Sequence, residues 1–417
     1  MTAELLVAPD DRGEVRPLDG VTVLEVAEWV MVPGAAAILA DWGADVIKVE
    51  HVTRGDAIRG LNVDPSSIRG RHFVHNANRG KRSIGVDLTD PDGRDLVMRL
   101  VDGADVFVTN FLPAARTKLG IDVEDVHARN PRVVYARGSG VGPRGDEAGA
   151  PGYDFAQYWA RAGVGGTFHH PDLKYPLAGN AQFGDLISAT VLAGGIAAAL
   201  LQRNRTGVAP VVDVSLLGVG AWTICQEVVG AHAGEVVPTL PAMRRDAMPN
   251  PLTNVFRTSD DRFLSFVLLQ SDRDWPHFCA RIEAPELRDD SRFATARARR
   301  EHASELIAEL DAVFERRTLE AWREQLVDSP FVWSVYQTPA EVAADPQVVA
   351  NDYLVAVADA DGSTAPPYLV ASPVQFDERS CVPRRAPEHA EHTESILLDL
   401  GLDWDEIAKL KDRGVVT

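Results

Sequence analysis

The sequence predicts an α/β protein with one mostly parallel sheet and a second, smaller unit. Two observations carry this prediction. Apolar strand-like runs alternate with helical patterns through the first half of the chain, and this character changes from about residue 226 to charged amphipathic helices. The 417 residues are enough for two or three packed units with sizeable cores.

The first half of the chain alternates between strand and helix signals at the spacing of βαβ units. Asp90 and Pro91 begin one of the helices, with Pro in the first turn and acids near its positive end. Strands are predicted at 21–27, 45–50, 82–88, 104–110 and 132–138, with helices at 34–44, from 90 onward and at 114–120. This alternation predicts a Rossmann-like sheet with helices on its faces.

The second half reads differently. Residues 255–269 predict a hairpin around Asp260 and Asp261, and charged amphipathic helices follow it. Strand-like stretches return after residue 331, and one amphipathic helix at 393–411 ends the chain. We therefore expect three segments: 1–225 for the first part of a large α/β domain, 226–330 for a small α+β domain, and 331–417 as a return segment that completes the large domain.

Composition bounds the partners. A net charge of −19 argues against a nucleic-acid partner, although it leaves room for a local basic pocket. Three dispersed cysteines without a CxxC motif fit a reducing cytosol, and residues 1–17 lack the features of a signal peptide. The longest apolar run, Leu186–Leu201, is shorter than a membrane span. We expect a cytoplasmic protein with no membrane partner.

Several common site motifs are missing. The connection after the first strand reads EWVMVPG, with bulky residues where a dinucleotide site needs GxGxxG. No P-loop and no GxSxG motif occurs, and the paired histidines His169-His170 and His389/His392 lack a matching ligand frame. We expect no metal and no permanently bound cofactor. The glycines 138, 140 and 142 fit a tight turn near a ligand about as well as a plain loop.

The Gly-Asp step at 184–185 begins a long helix of small apolar residues, which we expect to be buried. A carboxylate at the N-terminus of such a helix has two interpretations. Asp is a favoured N-cap, because it accepts hydrogen bonds from the first free N–H groups, and it can also act in catalysis. On this segment alone, capping of the helix by Asp185 is the favoured interpretation.

A series of motifs changes that balance. Blocks matching one family run in order along nearly the whole chain: PLDGVTVLEVAEWVMVPGAAAILADWGADVIKVE, NANRGKRSIGVDLTDPDGRD, DVFVTNFLP, NPRVVYARGSGVG, PGYD, FGD, TPAEVAADPQ and EHTESILLDLGL. In these blocks the sequence resembles the family III CoA-transferases, the group related to carnitine CoA-transferase and formyl-CoA transferase. The number and order of the motifs make chance agreement very improbable.

The resemblance implies a mechanism. The Asp of the family's Gly-Asp step is a covalent nucleophile, and the matching residue is Asp185. It would attack an acyl-CoA to give an aspartyl anhydride and then an aspartyl-CoA thioester, from which a carboxylic acid acceptor takes CoA. We expect the helix N-terminus to keep Asp185 ionised and nearby N–H groups to stabilise the oxyanion. The family also implies an interlocked homodimer.

The family's CoA contacts transfer to named positions. They are Val30, Met31, His51, Val86, Asp87, Leu88, Thr89, Asn110, Phe111, Leu112, Lys118, Ser139, Gly140, Val141 and Gly142. His51 departs from the family's basic residue and weakens one phosphate contact. The cations Arg79, Lys81 and Arg82 add local positive charge, although solvated surface cations explain them equally well.

Two alternatives remain beside the transferase. Related α-methylacyl-CoA racemases use a His in a GHD-like motif, which here reads Gly152-Tyr153-Asp154; Tyr153 lacks the near-neutral pKa of an imidazole, which disfavours that chemistry. A catalytically silent acyl-CoA binder is the other alternative. The segment PAMRRDAMPNPLTN (241–254) replaces the Gly-rich lid of the formyl-CoA enzymes, so oxalate and formate are doubtful substrates.

Overall fold

The computed structural model describes residues 16–61, 68–169, 173–176, 179–180, 182–235, 245–359 and 365–417. The chain forms two compact units. The first combines Met1–Gly166, Leu177–Glu235 and Pro346–Thr417, and the second combines Thr167–Pro176 with Val236–Asp345. The units change at 235/236 and 345/346, whereas the segments expected from the sequence end at residues 225 and 330.

A six-stranded, fully parallel sheet forms the centre of the first unit, in the order β3-β2-β1-β4-β5-β6. Its strands are β1 Thr22–Val26, β2 Asp45–His51, β3 Arg82–Val86, β4 Val106–Thr109, β5 Val134–Ser139 and β6 Val211–Ser215. The mixed α/β fold and the first five strands confirm the sequence prediction. The sixth strand was not predicted; Asp213 and Ser215 interrupt its apolar run, and none of its five residues is fully buried.

Eighteen helices have bounds in the described residues. They are α1 Met31–Asp41, α2 Ile68–Asn78, α3 Pro91–Gly103, α4 Pro113–Leu119, α5 Val123–Arg129, α6 Val164–Thr167, α7 Phe183–Thr206, α8 Leu216–Thr223, α9 Cys225–His232, α10 Ser271–Arg281, α11 Pro285–Asp289, α12 Ala296–Glu301, α13 Ala303–Phe314, α14 Leu319–Leu326, α15 Pro339–Ala344, α16 Pro346–Ala350, α17 Thr393–Asp399 and α18 Trp404–Asp412. A π-helix covers Phe155–Arg161, and 3-10 turns cover Ala57–Gly60 and Arg245–Ala247.

Two apolar layers cover the sheet. On one face α1 packs between the strands and α7, and a Cβ built on Gly34 would lie only 3.3 Å from that of Ala189, so the small residues let these helices approach closely. On the other face α3 and α5 pack with the C-terminal helices, through side chains such as Leu96, Leu100 and Ile396. Helices from the N-terminal and C-terminal parts of the chain therefore pack on the same sheet.

The expectation that α7 is buried holds for only one of its faces. Ala189, Leu192 and Ile196 are buried, while Val191 and Leu201 are about half exposed. By length and composition α7 would pass as a membrane span, a test that core helices also pass. Its buried face packs on α1 and the sheet, and its other face leaves apolar side chains uncovered within the chain.

The second unit contains the predicted hairpin. Strands β7 Thr253–Arg257 and β8 Phe263–Val267 pair antiparallel, and β9 Val332–Val335 pairs with β8. Phenylalanine and tryptophan side chains fill its core against the amphipathic helices α10 to α14. The first unit holds one further antiparallel pair, β10 Leu354–Ala356 with β11 Tyr368–Val370.

The single C-terminal helix predicted at 393–411 is wrong: α17 and α18 are separate helices. Gly401, at φ +83°, follows α17 in the left-handed region that glycine adopts without steric cost. Asp403 then caps α18 by accepting the N–H of Glu406, in a capping box. The apolar spacing hid a stop signal and a start signal within one amphipathic pattern.

Candidate active site

A cavity of about 450 Å³ opens at the carboxyl edge of the parallel sheet. Its wall includes residues that follow β1, β4 and β5, such as Trp29, Asn110 and Gly140. The chain reverses its strand order between β1 and β4, and ligands of open α/β sheets bind beside such a point. The lining residues all belong to the first unit.

The predicted site residues divide into two groups. Those that line the cavity are Met31, Asn110, Phe111, Leu112, Ser139, Gly140, Gly142 and Asp185. Those that do not are Val30, His51, Val86, Asp87, Leu88, Thr89, Lys118 and Val141. The glycine cluster after β5 therefore lies in the wall of a ligand-sized cavity.

The residues outside the cavity wall have clear structural positions. Val30 is buried against Ile58 and Ala77, and Val86 is buried at the end of β3. The exposed His51 accepts the N–H of Thr53 through its ring. Lys118 is exposed on α4.

The cations near the start of β3 differ from the expected solvated or ligand-binding role. Arg79 is buried and pairs with Asp41 at 2.7 Å, and Lys81 is buried and pairs with Glu25 at 2.5 Å. Arg82 pairs with Asp45 at the sheet edge. Arg79 thus forms a structural ion pair inside the fold, whereas burial lowers the pKa of Lys81 to about 7 despite its contact with Glu25.

Asp185 lies in the first turn of α7 and is not its N-cap, which corrects the capping interpretation. The helix begins at Phe183, and Gln182 occupies the N-cap position at φ +76°. Within the described part of the chain the Asp185 carboxylate makes no hydrogen bond and no ion pair. Asp185 is therefore an unpartnered carboxylate in the wall of the cavity.

The surroundings of Asp185 raise its pKa to about 7, contrary to the expectation that the helix N-terminus keeps it ionised. Burial is the larger cause, since it penalises the charged form, and the neighbouring Asp154 carboxylate adds like-charge repulsion. A carboxyl group with such a pKa is protonated for a substantial fraction of the time near neutral pH.

The carboxylate that serves the start of α7 is Asp154. It is buried, at 4% exposure, and its Oδ2 atom accepts the N–H of Gly184 at 3.2 Å. A Cβ built on Gly184 would lie 2.5 Å from Asp154 Oδ1 and 2.3 Å from Tyr158 Cγ, so only glycine allows this approach. Because the Gly184 N–H is committed to Asp154, it is not free for an oxyanion.

The part of the cavity wall that follows β1 is held in a strained conformation. Trp29 has φ +73°, and its N–H donates to Asp56 Oδ1 at 3.0 Å. The amide of Asn110 holds Glu28 on both sides, accepting its N–H and donating to its carbonyl oxygen. The Trp29 ring meets Tyr153 edge to face, with the centroids 5.5 Å apart. Non-glycine residues in this region cost energy and concentrate at functional sites.

A buried cluster of charged side chains contacts that wall through Asp56. Lys48 Nζ lies 2.6 Å from Glu25 Oε1 and 2.8 Å from Asp56 Oδ2, and all three side chains are fully buried. Lys81 contacts the other oxygen of Glu25. Burial lowers the pKa of Lys48, but Asp56 and Glu25 outweigh it, so the pKa is raised and Lys48 stays charged. The cluster thereby fixes Asp56, which holds Trp29.

Three arginines lie in the cavity wall, and each is paired with a carboxylate: Arg54, Arg116 and Arg137. Arg54 pairs with Glu28 at 2.6 Å and Arg137 with Asp213 at 2.7 Å. Arg116 donates to the carbonyl oxygen of Phe111 at 2.7 Å, which fixes the turn after β4. Arginine suits phosphate recognition, and none of these three was predicted from the sequence.

Sequence reasoning also missed Asp154 as a partner of Asp185, although a signal existed. A Cβ built on Gly140 would lie 2.9 Å from Gly152 Cα, so the loop after β5 and the PGYD motif touch through two glycines. That contact places Tyr153 and Asp154 beside the cavity. The glycines of the loop after β5 and of the PGYD motif were therefore the sequence signal that these two segments approach each other.

The fold and the cavity define an α/β protein with a substrate-sized site that holds an unpaired carboxylate, the arrangement of an enzyme site. The chain belongs to CoA-transferase family III, because the model of that family matches residues 18–393. The protein is accordingly a CoA-transferase.

Named relatives agree with this assignment. The chain is 28% identical to (R)-2-hydroxy-4-methylpentanoate CoA-transferase of Clostridioides difficile, over 96% of this chain and 99% of the relative. It is 32% identical to a probable fatty acyl-CoA transferase of Mycobacterium tuberculosis, over 90% and 96%. Among solved structures, a CaiB/BaiF family protein of Brucella suis matches with a TM-score of 0.79 at 29% identity, covering 92% of this chain and 99% of that one.

Proposed function

We propose that this CoA-transferase moves CoA from an acyl-CoA to a carboxylic acid through a covalent intermediate on Asp185. The observation that carries this proposal is the Asp185 carboxylate itself, which lines a 450 Å³ cavity and has no partner among the described residues. A structural carboxylate in such a place would be paired or hydrogen-bonded. An unpaired one is available to attack a substrate.

Each step conserves atoms and charge. An Asp185 oxygen attacks the thioester carbon, the C–S bond breaks, and CoA leaves as thiolate, giving an anhydride. The thiolate attacks the Asp185 carbonyl carbon and releases the donor acid, which leaves an aspartyl-CoA thioester. The acceptor carboxylate attacks that thioester and expels CoA thiolate again. The thiolate finally attacks the acceptor's carbonyl carbon, which frees the acceptor's CoA ester and Asp185.

We place CoA along the predicted contacts that line the cavity. Asn110, Phe111 and Leu112 would hold the adenine and pantetheine, and the loop Ser139–Gly142 would lie near the thiol end. Arg54, Arg116 and Arg137 lie in the same wall, so they would serve the phosphates by exchanging the carboxylates with which they are now paired. His51 and Lys118 lie outside this wall.

The test is a transfer assay on the full chain. Several acyl-CoAs are incubated with a panel of 2-hydroxy acids, dicarboxylic acids and fatty acids, the classes that the relatives' names span, and new CoA esters are measured by mass spectrometry. We expect acceptor-dependent formation of new CoA esters. α-Carbon deuterium exchange without any acceptor would instead indicate a racemase, and binding without either reaction would indicate a silent binder.

We also propose a homodimer, supported by the uncovered apolar residues of α7 to α9. Trp222 is 77% exposed and Val229 is 67% exposed, while α7 leaves Val191 and Leu201 uncovered. Light scattering is expected to give twice the 45.3 kDa chain mass. Trp222→Glu should shift the mass toward the monomer, and a wild-type protein that elutes as a monomer at micromolar concentration would contradict the proposal.

A further inference from the structure

We propose that Asp154 is a positioning residue whose negative charge makes Asp185 a stronger nucleophile and whose hydrogen bond fixes the start of α7. The proposal rests on the proposed function, because it assigns a role to a residue beside the nucleophile. It explains why a carboxylate is buried in contact with the helix that carries Asp185.

The contacts of Asp154 tie it to that helix. Its Oδ2 atom accepts the Gly184 N–H, one residue before Asp185, and the missing Cβ of Gly184 leaves room for its Oδ1 atom. That Oδ1 atom is buried and makes no hydrogen bond within the described ranges. A buried carboxylate oxygen without a partner is costly, so its retention needs a reason other than stability.

No other charge in the described surroundings of Asp185 is free to play this part. In the cavity wall Glu28 pairs with Arg54, Asp213 with Arg137, and Arg116 with Asp122. The elements packed against α7 carry further titratable groups, each engaged elsewhere: Asp41 with Arg79, Arg161 with Glu147, Arg203 with Asp105, Tyr158 with Thr223 and Tyr135 with the Ile121 carbonyl. Asp154, whose Oδ2 atom accepts the N–H of the residue before Asp185, is the neighbouring carboxylate for which no cationic partner lies among the described residues.

The charge of Asp154 acts differently before and during the reaction. Before attack, two anions lie close together, and their repulsion makes Asp185 more basic than an ordinary carboxylate. When the Asp185 oxygen bonds to the thioester carbon, its charge moves first to the thioester carbonyl oxygen and then, as the C–S bond breaks, to the departing CoA sulfur, so the repulsion falls. An interaction that is less unfavourable in the transition state than in the ground state accelerates the step.

The titration of the pair agrees with this arrangement. Burial raises the pKa of Asp154 to about 6, while the N–H groups at the start of α7, that of Gly184 first, favour its anion. The pKa of Asp185 is raised further, to about 7. The two carboxyl groups therefore titrate as a coupled pair, in which the negative charge on one raises the pKa of the other.

The experiment compares pH profiles of kcat/KM for transfer in the wild type, Asp154→Asn and Asp154→Ala. Asn retains an oxygen for the Gly184 N–H but carries no charge. We expect the acid limb of both variants to move to lower pH by roughly one unit, and the high-pH plateau to fall roughly 3- to 10-fold because Asp185 is less basic. The matched control is Asp403→Asn, an N-cap of α18 remote from the cavity, whose profile should equal that of the wild type.

The outcomes separate the two proposals. A plateau that falls while the acid limb stays at the wild-type pH means that Asp154 is only structural, which overturns this inference. A plateau that does not fall overturns it as well. Absence of transfer by the wild type, or transfer without any adduct on Asp185, overturns the proposed function instead. If Asp154→Ala does not fold, Asp154→Asn alone still decides the position of the limb.

Discussion

Asp185→Asn is expected to lower kcat for CoA transfer by roughly 10³-fold or more, because an amide cannot form the anhydride on which every later step depends. The measurement is a steady-state transfer assay with the wild type as reference. Asp102→Asn is the control, since Asp102 pairs with Arg129 on the surface, and it should keep full activity. A variant at Asp185 that retains more than a tenth of the activity would contradict the role.

The same substitution is expected to stabilise the fold above neutral pH. The folded pKa of Asp185, about 7, lies above its ordinary value, so folding loses stability as the pH rises from about 4 through 7. Asparagine carries no charge and avoids that loss. At pH 8 we expect the free energy of unfolding in urea to be higher for Asp185→Asn than for the wild type, by on the order of 1 kcal/mol. This difference should vanish toward pH 4. A less stable variant at pH 8 would contradict the electrostatic account.

Glu25→Ala is expected to destabilise the protein by about 3–5 kcal/mol, the second large effect. Glu25 is the shared partner of Lys48 and Lys81, and its removal leaves the charged, buried Lys48 undercompensated and Lys81, whose pKa burial already lowers to about 7, without the carboxylate that favours its charged form. Asp56 would still pair with Lys48, but the support of the Trp29 wall would weaken. Urea unfolding monitored by circular dichroism measures the loss.

The matched control for that prediction is Asp102→Ala. It removes a carboxylate from an exposed pair with Arg129, and such pairs contribute about 0–1 kcal/mol. Equal losses for Glu25→Ala and Asp102→Ala would show that the buried cluster does not stabilise the fold beyond an ordinary surface pair.

Much of the fold was predictable because its elements follow local rules. Asp90 and Pro91 begin α3 as expected, with the Asp90 side chain accepting the N–H of Asp92. The nearly continuous apolar runs of β1 to β5 are typical of parallel strands that are buried on both faces. β6 escaped prediction because Asp213 and Ser215 interrupt its apolar run. The C-terminal pattern concealed the break at Gly401 because amphipathic spacing continues across it.

The site was predictable in its motifs but not in its charges. Asp185 and the glycines after β5 follow from short motifs, whereas the fates of Arg79, Lys81 and Arg116 depend on partners far along the chain. A sequence shows which residues are cations, but only tertiary contacts show which are neutralised. Asp154 was missed for the same reason, since its relation to Asp185 arises from two glycine contacts between separate segments.

The most direct test of the central claim is peptide mapping of the wild type after reaction with an acyl-CoA and rapid quenching in hydroxylamine. The account predicts a hydroxamate on the peptide that contains Asp185, formed only when acyl-CoA is present and absent from Asp185→Asn. An unmodified Asp185 in enzyme that is turning over, or a hydroxamate on a different residue, would contradict it.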